Sequence, residues 1–299
     1  MRPKEKARLR CGQNPLGSCI VYACADVGAV KNLHLALCFA LAVIGIRLSA
    51  APASPPGETE VRTSQWKGYQ RLDFEVAGRP CLLVLPTTPA PGRPWIWRTE
   101  FFEHEPQAGL ALLARGWHVA YMDAKNLYGA PKAIALFGRF YAHVVPHFGL
   151  ARRAVLEGFS RGGLYAFNFA AAHPQRVAAL YLDAPVLDIR SWPGRNRASK
   201  EWRECLDAYG LTEASLAQFR GNPLDYIPLV AAAKVPVLVV AGDADLVVPL
   251  PENAGILEKR YRELGGTIEL IVKSGGGHHP HSLVDPAPIV EFLVKHARY

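Results

Sequence analysis

The chain predicts an α/β protein built on a mostly parallel sheet with helices on both faces, and three observations carry that expectation. Short apolar runs (118–122, 154–157, 178–182, 235–241 and 267–272) alternate with stretches of helical character (107–115, 133–148, 163–172, 251–264 and 288–296); strands answered one by one by helices are the signature of parallel pairing. The runs are apolar at nearly every position, as strands buried on both faces require. Half of the 299 residues are hydrophobic, enough for one large core.

Taken in order, residues 1–53 read as an N-terminal leader with a signal peptide. The run Leu33 to Ile46 (LHLALCFALAVIGI) follows Lys31 and precedes Ser49-Ala50-Ala51-Pro52-Ala53, a charged start, a short apolar stretch and small residues suited to cleavage. That run is shorter than the roughly 20 residues a spanning helix needs. The expectation is therefore a secreted or periplasmic protein with no stable membrane span after leader removal. Residues 54–62 are a Pro/Gly/Ser-bearing linker. The folded domain is expected over 63–299. It opens with an alternating edge strand at 69–76, an apolar run at 81–85 and a third strand at 94–98 after a Pro/Gly turn. Residues 188–233 break the alternation with a tryptophan-bearing loop and two helices, at 200–209 and, capped by Thr212, at 213–219. They read as a cap-like insertion over the carboxyl edge of the sheet.

The formal net charge of +8 raises the question of an anionic partner, and its location answers it. Residues 1–50 hold seven Lys/Arg against Glu5 and Asp26, so most of the excess belongs to the leader. The remainder has no arginine-rich stripe with interleaved aromatics, which argues against nucleic acid. Four of the six cysteines (Cys11, Cys19, Cys24, Cys38) also fall in the leader. Cys81 and Cys205 remain, distant in sequence and without metal-ligand spacing. They could pair in an oxidising compartment, but the expectation is two buried small hydrophobes.

Within this frame Gly158-Phe159-Ser160-Arg161-Gly162 stands between an apolar strand and a helix stopped by Pro174. A serine with glycines two residues away on each side suits a strand-to-helix turn too tight for larger neighbours, and marks Ser160 as a candidate nucleophile. A neutral hydroxyl needs a base, and the base needs a group that holds its tautomer. The run 237–241 is followed by Gly242-Asp243-Ala244-Asp245, which places two carboxylates in a loop at a strand end; Asp245 is the stronger candidate acid. Asp243 and Asp183, the latter ending the run at 178–182, are its rivals. The run 268–272 leads into Gly275-Gly276-Gly277-His278-His279-Pro280-His281, where glycines let the loop bend back and present an imidazole. His278 or His279 would be the base. Three histidines so close on one loop are not expected to converge on one ion, so no metal site is anticipated.

The order serine, acid, histidine, each after a successive core strand, resembles the α/β-hydrolase superfamily over nearly all of residues 63–299, and esterases and prolyl-oligopeptidase-like enzymes share it. The Gly242–Asp245 pattern with Val248-Pro249 behind it, and Gly277-His278-His279-Pro280, match the acid and base loops of that superfamily and favour His278 over His279. The resemblance implies an oxyanion hole from the amide of Arg161 and one from the loop after the third strand, at Thr99 or Glu100. The chain lacks the His-Gly-Gly motif of many lipases. Arg98, Tyr128 and Trp192 are the candidate substrate-binding residues. The expected function is hydrolysis of a carboxylic ester, of a small molecule or of a polysaccharide, without a cofactor. A serine peptidase and a noncatalytic binding protein are the alternatives, and the oligomeric state is open.

Overall fold

The structure is a computed structural model that describes residues 60–297. The leader expected over 1–53 and most of the linker expected over 54–62 lie outside the described residues. Nine strands, β1 (Arg62–Trp66), β2 (Tyr69–Val76), β3 (Arg79–Val84), β4 (Trp95–Arg98), β5 (His118–Met122), β6 (Ala154–Phe159), β7 (Val177–Asp183), β8 (Val237–Gly242) and β9 (Ile268–Lys273), form one sheet in the order β1-β2-β3-β5-β4-β6-β7-β8-β9. The first three pair antiparallel, as does β3 with β5. From β5 to β9 every pairing is parallel. This is the α/β-hydrolase fold that the motif order implied.

Burial on both faces explains the unbroken apolar runs. Along β4, Trp95 and Trp97 enter one core cluster and Ile96 the other; along β8, Val237, Val239 and Ala241 face the first and Leu238 and Val240 the second. Successive side chains of a strand point to opposite faces, so a strand covered on both sides is apolar at nearly every position. The first face is covered by α2 (Pro131–Phe148), α3 (Gly162–Ala172) and α6 (Ala254–Glu263), and the second by α1 (Gln107–Leu113) and α7 (Ala287–His296). Pro131 opens α2, where its missing N–H costs nothing, and Gly149 ends it in the left-handed region at φ 63°.

The insertion differs from its expected form in one helix. Its first helix, α4 (Lys200–Tyr209), is capped by the Ser199 hydroxyl, which accepts from the Trp202 amide at 3.0 Å, and stops at Gly210. The helix expected at 213–219 is only a 3₁₀ turn, Leu216–Gln218. Thr212 and Ser215 bond reciprocally through side chain and backbone in the manner of a capping box, so the expected cap is present although the helix behind it is not. A short helix, α5 (Ile227–Ala232), follows instead, with Pro228 in its first turn. Strand β1 was not anticipated, because four of its five residues are exposed and polar and no apolar alternation marks it. It, and not the strand at 69–76, forms the sheet edge. Cys81 and Cys205 are both buried free thiols, and burial pushes each pKa up to about 12.

Candidate active site

Ser160 sits at the bend between β6 and α3 with φ +49°, a value seldom adopted by a residue with a side chain. Its amide donates to the Asp183 carbonyl, and its carbonyl accepts from the Gly163 and Val186 amides, so the strained turn is fastened on both sides. The close approach behind it explains Gly158: a Cβ there would stand 2.8 Å from the Gly162 carbonyl oxygen. Ser160 keeps part of its surface exposed.

His278 reaches this serine from the loop after β9. Ser160 Oγ and His278 Nε2 are 2.9 Å apart, and His278 Nδ1 is 2.7 Å from Asp245 Oδ2. The second oxygen of Asp245 accepts the amides of Val247 and Val248 at 2.8 and 2.9 Å, which holds the carboxylate aimed at the imidazole. The loop can pass this close to the end of β8 because Gly242 has no side chain; a Cβ there would lie 2.1 Å from the Gly276 carbonyl oxygen. Asp243 accepts the Gly275 amide instead, and His279 is exposed, with no hydrogen bond from its ring among the described residues. With Nδ1–H held by the acid, His278 Nε2 is free to accept the serine proton.

The oxyanion candidates separate on their hydrogen bonds. The Thr99 amide donates to the Glu157 carbonyl, and its hydroxyl bonds to the carbonyls of Glu157 and Gly162. Thr99 is therefore a brace between β4 and the elbow, contrary to its candidacy as a donor. The amides of Glu100 and Arg161 have no acceptor among the described residues, and Glu100 N lies beside Gly162 at the start of α3. The Arg161 side chain turns to Glu100 Oε2 at 3.1 Å, with its guanidinium 5.2 Å from the Phe101 ring and 5.7 Å from the Tyr128 ring. Burial pushes the Glu100 pKa up, and Arg161 opposes that shift.

Of the three expected substrate-binding residues, only Trp192 keeps exposed surface. Arg98 is 3% exposed; it bonds to the His104 carbonyl, faces Glu157 at 4.0 Å and lies over the Phe159 ring at 4.2 Å. It is a structural cation beneath the elbow, too deep to meet substrate. Tyr128 is fully buried, stacks against Trp192 at 6.1 Å and donates to Glu204 Oε2 at 3.0 Å, so it backs the site without lining it. Trp192 borders a recess of about 380 Å³ with Asn196, Ser199, Leu246 and Val247, the last two directly following Asp245. A separate apolar hollow of about 460 Å³, lined by Ile134, Asn168, Tyr209 and Phe219 among others, touches none of the candidate site residues.

A second histidine–aspartate pair was not read from the sequence. Asp183, weighed there as a rival acid, is 2.9 Å from His281 Nδ1 and accepts the Ser282 amide at 2.8 Å. Asp183 is wholly buried and His281 is 5% exposed. The signal was present in the order of elements, since Asp183 ends the strand beside the nucleophile strand and His281 stands one turn of loop beyond His278. The three histidines, not expected to converge on one ion, do lie together: one ring nitrogen of each is within 4.8 Å of one from each of the others.

A family profile described as the alpha/beta hydrolase fold matches residues 92–233. Together with the sheet order, that match defines the fold of the chain as the α/β-hydrolase fold. Among solved structures, it is similar to the Pyrococcus horikoshii acylaminoacyl peptidase (13% identity, TM-score 0.57, 81% of this chain and 42% of that one) and a Mycobacterium tuberculosis puromycin-hydrolyzing peptidase (16%, 0.56, 79% and 38%). It is also similar to a mutant of esterase rPPE (18%, 0.57, 81% and 83%). The chain thus spans about two fifths of the length of the peptidases it resembles. No curated protein matches it significantly.

Proposed function

We propose that the chain is a serine hydrolase that cleaves a carboxylic ester through an acyl-enzyme at Ser160. The observation that carries this reading is the continuous hydrogen-bonded line Ser160 Oγ–His278 Nε2–Nδ1–Asp245, at 2.9 and 2.7 Å. Ser160 Oγ attacks the carbonyl carbon while His278 Nε2 takes its proton, and Asp245 stabilises the resulting imidazolium. The oxyanion is received by the Arg161 and Glu100 amides, a contribution of about 3 kcal/mol per donor in comparable sites. The imidazolium then gives its proton to the departing alcohol, and water repeats the sequence to release the acid.

The recess beside Trp192 supports a carbohydrate-linked ester, because an aromatic face with Asn196 and Ser199 near it suits a sugar ring. The length of the esterase resembled, close to that of this chain, favours ester over peptide cleavage. The leader-like segment supports export to the periplasm or beyond the cell. Among the described residues no helix is long and apolar enough to cross a membrane.

A fluorophosphonate probe tests the chemistry. The folded protein should label at Ser160 and lose the label on Ser160→Ala; a folded sample that never labels would leave the noncatalytic binding reading in its place. Faster turnover of nitrophenyl acetate than of aminoacyl nitroanilides is expected, and the reverse preference would make the protein a peptidase.

A further inference from the structure

The loop that carries His278 brings together more imidazole than acyl transfer uses. His278, His279 and His281 stand with their rings 4.7–4.9 Å apart, centre to centre, each close to perpendicular to the others. One nitrogen from each falls within 4.8 Å of the others. Two of the three are already dressed as metal ligands: His278 Nδ1 is held by Asp245 and His281 Nδ1 by Asp183. A carboxylate on the far nitrogen fixes the ring, sets the tautomer and makes the remaining nitrogen a better donor to a cation, the arrangement found behind metal-binding histidines. His279 is exposed and its ring makes no hydrogen bond among the described residues, so it can turn toward the other two. Three nitrogens bound tetrahedrally to one zinc stand about 3.3 Å from one another, so the widest pair of nitrogens, within 4.8 Å here, has about 1.5 Å to close.

We propose that His278, His279 and His281 form a binding site for a divalent transition-metal cation of the zinc class, and that its occupation switches the hydrolase off. The inference rests on the proposed role of His278 as the base. The lone pair on His278 Nε2 that would accept the Ser160 proton is the one the metal would take, so the two uses exclude each other. With the metal bound, the hydroxyl keeps its proton and no acyl-enzyme forms. Imidazole donors suit zinc, copper and nickel, whereas magnesium and calcium prefer oxygen, so the latter pair should be without effect.

The test uses tag-free protein and two readouts. Cobalt(II) titrated into the Ser160→Ala protein should produce the intense visible absorption of a tetrahedral site at one equivalent, and zinc should displace it. His279→Ala should weaken cobalt binding at least about 10-fold, and Asp183→Asn, which removes the carboxylate behind His281, about 10- to 100-fold. In the unmutated enzyme, zinc should inhibit ester hydrolysis with a constant equal to its binding constant, reversibly on adding a chelator. His279→Ala should raise that constant at least 10-fold, measured against its own metal-free rate. Absence of the cobalt band below millimolar metal, or binding and inhibition indifferent to His279→Ala, overturns the proposal. Failure of the hydrolase reading looks different: the metal-free protein turns over no ester, while the cobalt titration still reports on the site.

Discussion

His278 and His281 stand three residues apart on one loop, and each gives Nδ1 to an aspartate at the end of a neighbouring central strand, at 2.7 and 2.9 Å. Asp245 follows β8 and holds its second oxygen on two amides of its own loop. Asp183 ends β7 and holds its second oxygen on the Ser282 amide, with the Tyr181 hydroxyl at 3.3 Å. Only His278 has its far nitrogen against the serine. His281 packs its ring 5.2 Å from Phe159, directly before the nucleophile. The same pair of side chains is therefore placed for the proposed proton transfer in one place and for anchorage in the other, and what separates them is access to Ser160. The buried pair ties the loop to the strand next to the elbow, which brings His278 within hydrogen-bond reach of Ser160.

Breaking the outer pair should have the largest effect. Asp245→Asn keeps the shape but removes the charge that selects the His278 tautomer, and kcat for a nitrophenyl ester should drop about 10³- to 10⁴-fold. A loss under 10-fold would move the acid elsewhere.

The inner pair should matter less and in a different way. Asp183→Asn should lower kcat about 10²-fold through misplacement of His278, with KM and the pH dependence of kcat/KM nearly unchanged, since no titrating catalytic group is lost. A shifted pH profile would instead make Asp183 the acid of the reaction. Asp183→Ala should also cost about 3 kcal/mol in urea unfolding, because it leaves His281 buried without its partner.

A third buried histidine sharpens the contrast by lacking a carboxylate. His118 Nδ1 meets only the Pro94 carbonyl at 3.3 Å, and burial lowers its pKa from 6.5 to about 4. The folded protein keeps it neutral while the unfolded chain protonates it. Its contribution is fully present above about pH 6.5 and is lost as pH falls toward 4, on the order of 2–3 kcal/mol. Urea midpoints measured between those values should flatten in His118→Phe, and an unaltered slope would place the acid sensitivity on other groups. The smallest effect belongs outside the histidines. Trp192→Ala should raise KM for a sugar ester about 3- to 10-fold with kcat little changed, the mark of binding shared by ground and transition states; an equal loss in kcat would give Trp192 a place in the reaction itself.

The strands and helices around the elbow could be read from local pattern because their physics is local. The apolar runs at 118–122 and 154–157 and the helical stretch at 133–148 depend on neighbours a few residues away. Polar β1 was invisible, since its pairing with β2 rests on backbone bonds that carry no side-chain signature. The expected helix at 213–219 does not extend past a 3₁₀ turn, although Thr212, read as its cap, does exchange hydrogen bonds with Ser215.

By itself the sequence determined the fold class and the short set of residues able to carry the chemistry, because residue type limits what a side chain can donate, accept or titrate. Only the tertiary structure decided among them. It set His278 and not His279 against Ser160, gave Asp245 to one imidazole and Asp183 to the other, and sank Arg98 and Tyr128 beneath the surface where they had been expected to meet substrate. Those choices turn on ångström distances between segments up to 118 residues apart in the chain, and such distances are set by how strands register and loops close, which no local stretch of residues encodes.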